Sequence, residues 1–132
     1  MKYMLDTNIC IYLIKKRPPQ TLRKLQQISI SDVCVSAVSV AELEYGVEKS
    51  RKREQNRIAL AEFLAPVEIL SFGDEQASAY GSIRAHLESR GTPIGPYDLQ
   101  IAAHALSLGL RLVTNNTSEF ERVPGLSIEN WA

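Results

Sequence analysis

Three acids, in three separate segments, each stand at or near the predicted start of a helix. Asp6 ends the short apolar run Tyr3-Met4-Leu5 and is followed by Thr7 and Asn8. Glu42 lies shortly after the strand-like Val33-Cys34-Val35-Ser36, and Asp98 opens a later apolar helix. A fourth polar cluster, Thr114-Asn115-Asn116, ends the run Leu110–Val113. Carboxylates brought together repel, and their pKa values rise unless a cation neutralises them. Mg²⁺ or Mn²⁺ suits an all-oxygen site. Such an ion can activate water and clamp a phosphate oxygen, so the chemistry this set could perform is metal-assisted hydrolysis of a phosphodiester.

Each acid also has a local explanation. Asp, Thr and Asn are all good N-caps, and one of Asp6, Thr7 and Asn8 could cap the helix that follows. Ser39 with Glu42 fits a capping box, with the helix start at Ser36 or Ser39 and Glu42 in its first turn. Asp98 after Pro96 is an ordinary helix-start pattern. Caps bind their own helices and need not converge, so a shared pocket depends on topology.

The elements predict that topology. Strands are expected at Lys2–Leu5, Val33–Ser36, Val67–Leu70 and Leu110–Val113, with Leu126–Ile128 as a further edge strand. Helices are expected from about Asn8 to Lys16, ended by Arg17-Pro18-Pro19, and from about Gln20 to Gln27. Others run to about Lys49, to about Leu64 before Pro66, from Asp74 to about Arg90, and from Tyr97 to Leu108 before Gly109. In the helix from Asp74 to about Arg90, the spacing of Ala77, Tyr80, Ile83 and Leu87 predicts the inner face. Alternating strands and helices predict an α/β fold, a mostly parallel sheet of four to five strands with helices on both faces. Right-handed crossovers bring the carboxyl ends of the strands to one edge, where open α/β sheets hold their ligands. No internal repeat or linker divides residues 1–132, so one domain is expected.

Composition narrows the function. At 132 residues, 45% hydrophobic and 23% charged, the chain can build a core without staples. No apolar run approaches a membrane span and no signal-peptide pattern opens the chain, so the expected location is the cytoplasm. Cys10 and Cys34 have no Cys or His at ligand spacing and are expected as reduced core residues. Net charge is zero, but residues 1–66 carry eleven Lys and Arg against seven Asp and Glu, and residues 67–132 carry four against eight. Neutrality argues against indiscriminate coating of nucleic acid, while basic clusters facing one side of an acidic pocket remain possible. The candidates for backbone contacts are Lys15, Lys16 and Arg17, Lys24, and the stretch Lys49, Arg51, Lys52, Arg53 and Arg57; a solvated helix end is the plainer reading of the first group. His104 lies about 240° round its helix from Asp98 and is expected in the core. There is no His-Glu-x-x-His, Gly-x-Ser-x-Gly or Walker lysine motif.

Four segments together resemble the PIN-domain ribonucleases, and more closely the VapC toxin family. They are Met4-Leu5-Asp6-Thr7-Asn8, Val40–Gly46, Gly95-Pro96-Tyr97-Asp98 through Ala105, and Leu112 through Phe120. The resemblance covers essentially the whole chain in order. It implies a PIN fold and a Mg²⁺- or Mn²⁺-dependent endoribonuclease acting as the toxin of a toxin–antitoxin pair. Asp6, Glu42 and Asp98 match the family's metal-binding carboxylates, and Thr7, Asn8 and Thr114 the polar residues around them. It further implies a structured RNA target, with a tRNA loop first, a homodimer, and a VapB-type antitoxin whose C-terminal segment covers the groove. One position departs: Asn116 stands where many PIN domains carry a fourth acid. This leaves one metal or two open, with Asn116 itself a possible ligand and Glu119, ahead of Glu121, the candidate substitute.

Three rivals remain on the residues. A haloacid-dehalogenase-like phosphatase would want an Asp at the position of Asn8 and a late Lys, and a receiver-like signalling domain also wants a late Lys. No Lys follows Lys52. A PIN fold that binds RNA without cutting it is not separated by sequence.

Overall fold

The computed structural model describes residues 2–132. Five strands form one sheet: β1 (Tyr3–Leu5), β2 (Val33–Ser36), β3 (Glu68–Leu70), β4 (Arg111–Val113) and β5 (Ile128–Glu129). All neighbours are parallel, in the order β3-β2-β1-β4-β5. Seven helices join them: α1 (Thr7–Lys15), α2 (Pro19–Gln26), α3 (Ala37–Glu48), α4 (Arg53–Leu64), α5 (Asp74–Ser89), α6 (Pro96–Ser107) and α7 (Thr117–Phe120). The α/β class, the parallel sheet and the edge strand at its end are as expected.

The central strands β2, β1 and β4 are covered on both faces, with side chains alternating between the two. Met4, Cys34 and Leu112 point to one side and pack with Ile83 and Leu87 of α5, Leu99 and Ile101 of α6, and Phe120. Leu5, Val33, Val35 and Val113 point to the other and pack with Ile9, Cys10 and Leu13 of α1, Leu43 and Val47 of α3, and Leu60 of α4. Both cysteines are free and buried, as expected.

Register brings the strand ends level. Leu5 is paired with Val35 on one side and Val113 on the other. The next residues, Asp6, Ser36 and Thr114, therefore leave the sheet side by side. The chain moves from β1 outward through β2 to β3 on one side and from β4 to β5 on the other. The crevice of this switch lies between β1 and β4, the place where such sheets take ligands.

Two expectations about helix interiors are corrected. Ser36, not Ser39, caps α3: its Oγ accepts from Val38 N at 3.1 Å. Ser39 is then inside the helix and buried, the Ser39–Glu42 capping box does not form, and Glu42 is the sixth residue of α3 rather than in its first turn. On α5 Ala77 faces solvent and Gln76 is buried instead. The inward row is 76, 80, 83 and 87, and a polar member is tolerated because Gln76 Oε1 accepts from Gly73 N at 2.8 Å while its Nε2 donates to Ser107 Oγ at 3.0 Å.

Candidate metal centre and groove

Asp6 is both a cap and a site residue. Its Oδ1 accepts from Ile9 N at 2.9 Å, which fixes the carboxylate at the start of α1 and leaves the second oxygen for other partners. It is only 3% exposed. Burial raises its pKa, the Glu42 carboxylate adds to the rise, and the Thr114 hydroxyl and the Ile9 amide work against it.

Glu42 comes from the second turn of α3. Thr7 Oγ1, from the first residue of α1, donates to Glu42 Oε1 at 2.6 Å. This short bond to a carboxylate links the ends of two segments 35 residues apart. Thr7 therefore orients Glu42, a role that the resemblance gives only as general polar support.

Asp98 stands at the third position of α6, whose N-terminus lies at the carboxyl edge because the helix leads directly into β4. Its pKa is pushed up to about 6, first by burial, then by Asp6, Glu119 and Glu42, with the Asn116 amide offsetting part of the rise. The three carboxylates thus lie within one another's field. Among the described residues, no three carboxylate, imidazole or thiolate groups are gathered closely enough to hold an ion as the side chains stand. The case for a divalent cation is the donor set, all oxygen, and a repulsion that a cation would relieve.

The ends of β4 complete the site. Thr114 is buried, and its Oγ1 accepts from Asn116 N at 2.9 Å. Asn116 turns its Nδ2 to Glu119 Oε2 at 2.9 Å, so the amide holds the nearby acid. Glu121 is exposed. Asn115 Nδ2 donates to Tyr12 Oη at 2.8 Å, tying this turn to α1. Behind the site, His104 is fully buried, with Nδ1 2.7 Å from Ser36 Oγ and its ring edge-on to Phe72. Burial lowers its pKa, and the Ser71 backbone counteracts this in part.

A groove of about 820 Å³ opens over Thr7, Asn8 and Glu42 and is walled by Tyr45 of α3, by Lys49 at its C-cap, and by Tyr97 and Gln100 of α6. Of the basic candidates, Lys49 lines this groove, and Lys15 lines a neighbouring apolar pocket with Ile11, Ile14 and Leu43. Lys16, Lys24, Arg51 and Lys52 are exposed and line neither. Arg57 is bonded to Glu44 and Glu48, and Arg53 approaches Glu48, all as solvent-exposed pairs. The tyrosines carried no sequence signal on their own; Tyr45 stands one turn beyond Glu42 and Tyr97 next to Asp98, and that adjacency is what could have marked them.

Residues 3–126 match the PIN domain model. The tRNA(fMet)-specific endonuclease VapC of Salmonella typhimurium is 46% identical over 131 residues, covering 99% of this chain and 98% of that protein. Ribonuclease VapC2 of Haemophilus influenzae is 49% identical with the same coverage. Among solved structures, VapBC2 from Rickettsia felis bound to a DNA fragment from its promoter superposes with a TM-score of 0.93 at 44% identity, over all of both chains. DNA-bound VapBC from Salmonella typhimurium superposes with a TM-score of 0.94 at 45% identity, over 100% of this chain and 99% of that one.

Proposed function

The chain belongs to the PIN-domain family and, within it, to the VapC ribonucleases, and from that premise we propose how its own residues cut RNA. Asp6, Glu42 and Asp98 supply the oxygens that would hold Mg²⁺ or Mn²⁺. When bound, such an ion supplies an activated water and a clamp on the scissile phosphate. Asp6 is the fixed member, since the Ile9 amide pins one oxygen. Glu42 is aimed by Thr7. Asp98 must enter as the anion, and its raised pKa means that a proton competes with the cation for it. Glu119, held by the Asn116 amide nitrogen, stands by as a fourth acid, and the amide oxygen of Asn116 is the atom that would ligate beside it. Lys49 attracts the backbone at the rim of the groove. Hydrolysis in line breaks the bond from phosphorus to the 3′ oxygen, leaving a 5′-phosphate and a 3′-hydroxyl.

The substrate is an RNA with an unpaired loop, where backbone and bases can be reached. Relatives named for tRNA(fMet) make a tRNA the first candidate. The protein acts as one PIN-like domain over residues 1–132, as the toxin of a cytoplasmic pair, a homodimer restrained by a VapB-type antitoxin that covers the groove. Among the described residues no helix is long and apolar enough to cross a membrane, which suits that role.

The observation that carries this reading is the field of three acids from three segments on Asp98. The test is total RNA incubated with purified protein, with Mg²⁺ or with chelator, beside Asp6→Ala and Asp98→Ala. Cuts at few sites, dependent on the cation and lost in both variants, are expected. Equal cutting by the variants would move the chemistry elsewhere, and binding without cutting would favour the non-cleaving alternative.

A further inference from the structure

Six large apolar or aromatic side chains are exposed among the described residues: Ile30, Tyr45, Ile58, Ile69, Tyr97 and Leu108. The two aromatic ones, Tyr45 at 66% and Tyr97 at 57% exposure, both line the groove above Glu42. Each is tied in sequence to an acid of the site. Tyr45 is three residues past Glu42, about 4.5 Å further along α3 at 1.5 Å per residue. Tyr97 immediately precedes Asp98 on the first turn of α6. Desolvating a tyrosine ring is favourable, and leaving two of them in water beside a reaction centre calls for a ligand with flat faces.

We infer that Tyr45 and Tyr97 are stacking platforms for the unpaired bases on either side of the scissile phosphate, which deepens the ribonuclease reading above and rests on it. Every base has a π-face, so stacking holds a strand without dictating its sequence. The surroundings suit nucleotides. Lys49 Nζ lies 5.1 Å from the Tyr45 ring centroid and covers one face, leaving the other for a base. The same ammonium is placed for a phosphate. Gly46 also lines the groove, and a Cβ added there would meet nothing within 4 Å, so the lining beside Tyr45 is open. Gln100, one turn after Tyr97 on α6, brings an amide to the groove that can meet a base edge. A protein partner would also value exposed rings, but the Lys49 cation on Tyr45 favours a phosphate-bearing strand.

The test measures cleavage of a tRNA transcript by the wild type, Tyr45→Ala, Tyr97→Ala and the two Phe variants. Binding of a single-stranded oligonucleotide carrying 2-aminopurine is followed in chelator, where nothing is cut. Loss of one stacked base should raise KM about 5- to 150-fold, equivalent to about 1–3 kcal/mol. The change in kcat should be smaller, Phe should restore KM, and quenching of 2-aminopurine should fall in the Ala variants. Unchanged KM and unchanged quenching would overturn the inference, as would failure of Phe to rescue. If the Ala variants weaken only self-association in light scattering, the rings belong to a protein interface and the inference falls. A wild type that does not cut would refute the cleavage reading, and the quenching arm would still decide the stacking.

Discussion

Replacing Asp98 by Asn should make the cation-free protein more stable while destroying its activity. The side chain is pushed from 3.8 to about 6 by burial, then by Asp6, Glu119 and Glu42. At about 1.4 kcal/mol per pH unit, that rise corresponds to about 3 kcal/mol in a dry site. The carboxylate is partly exposed, and solvent screening reduces the figure to about 1–2 kcal/mol. The sign follows from the raised value: the folded state binds the proton more tightly than the unfolded one, so this group weakens the fold as pH rises from 3.8 through about 6. At neutral pH the penalty is full, and an isosteric amide removes it. For a chain of this size, about 1–2 kcal/mol is about 4–7 °C in Tm. Calorimetry in chelator at pH 7.5 should show that gain, and it should shrink as pH falls below 6. Mg²⁺ should raise the wild-type Tm and leave the variant nearly unmoved, because the cation relieves the same repulsion that the substitution deletes. Cleavage should fall by at least about 100-fold. A variant no more stable than wild type at pH 7.5, or one that Mg²⁺ stabilises equally, would refute a carboxylate cluster strained for a cation.

Thr7→Val should lower kcat about tenfold or more, because a hydrogen bond to a charged group is worth roughly 1.5–3 kcal/mol, and Thr7→Ser should recover most of it in initial-rate measurements. Asn116→Asp should tighten the cation, read as a lower half-saturating Mn²⁺ concentration, and should lower the chelator-state Tm by placing a second anion against Glu119. His104→Phe should cost about 1–3 kcal/mol in denaturant melts, because it removes the buried bond to Ser36 Oγ and leaves that hydroxyl only its contact with the Val38 amide. It should also abolish an acid limb: burial depresses the His104 pKa, so its contribution is complete above 6.5 and is lost below it, as pH falls through the depressed folded value. A wild-type limb that persists in this variant would place the titration on another group.

Much of the architecture follows from local pattern. The alternation of Met4 with Leu5, of Cys34 with Val33 and Val35, and of Leu112 with Val113 is enough to demand a sheet covered on both faces, since period 2 is a property of any extended backbone. Asp6 and Thr114, each directly after such a run, are marked by position alone as residues of the carboxyl edge. What local pattern could not decide were choices between neighbours competing for one role. Ser36 and Ser39 are equally good caps, and only the end of β2 selects Ser36. Ala77 is the more apolar neighbour, yet Gln76 is buried because Gly73 and Ser107 satisfy its amide. Arg53 and Arg57 sit in a basic stretch, and only the fold brings Glu44 and Glu48 beside them as exposed ion pairs. The deepest dependence is electrostatic. Charge on residues 6, 42, 98 and 119 is written in the chain, but the strength of their repulsion varies with separation and burial. Those distances exist only once parallel strands in register and a returning helix have carried four distant segments to one edge.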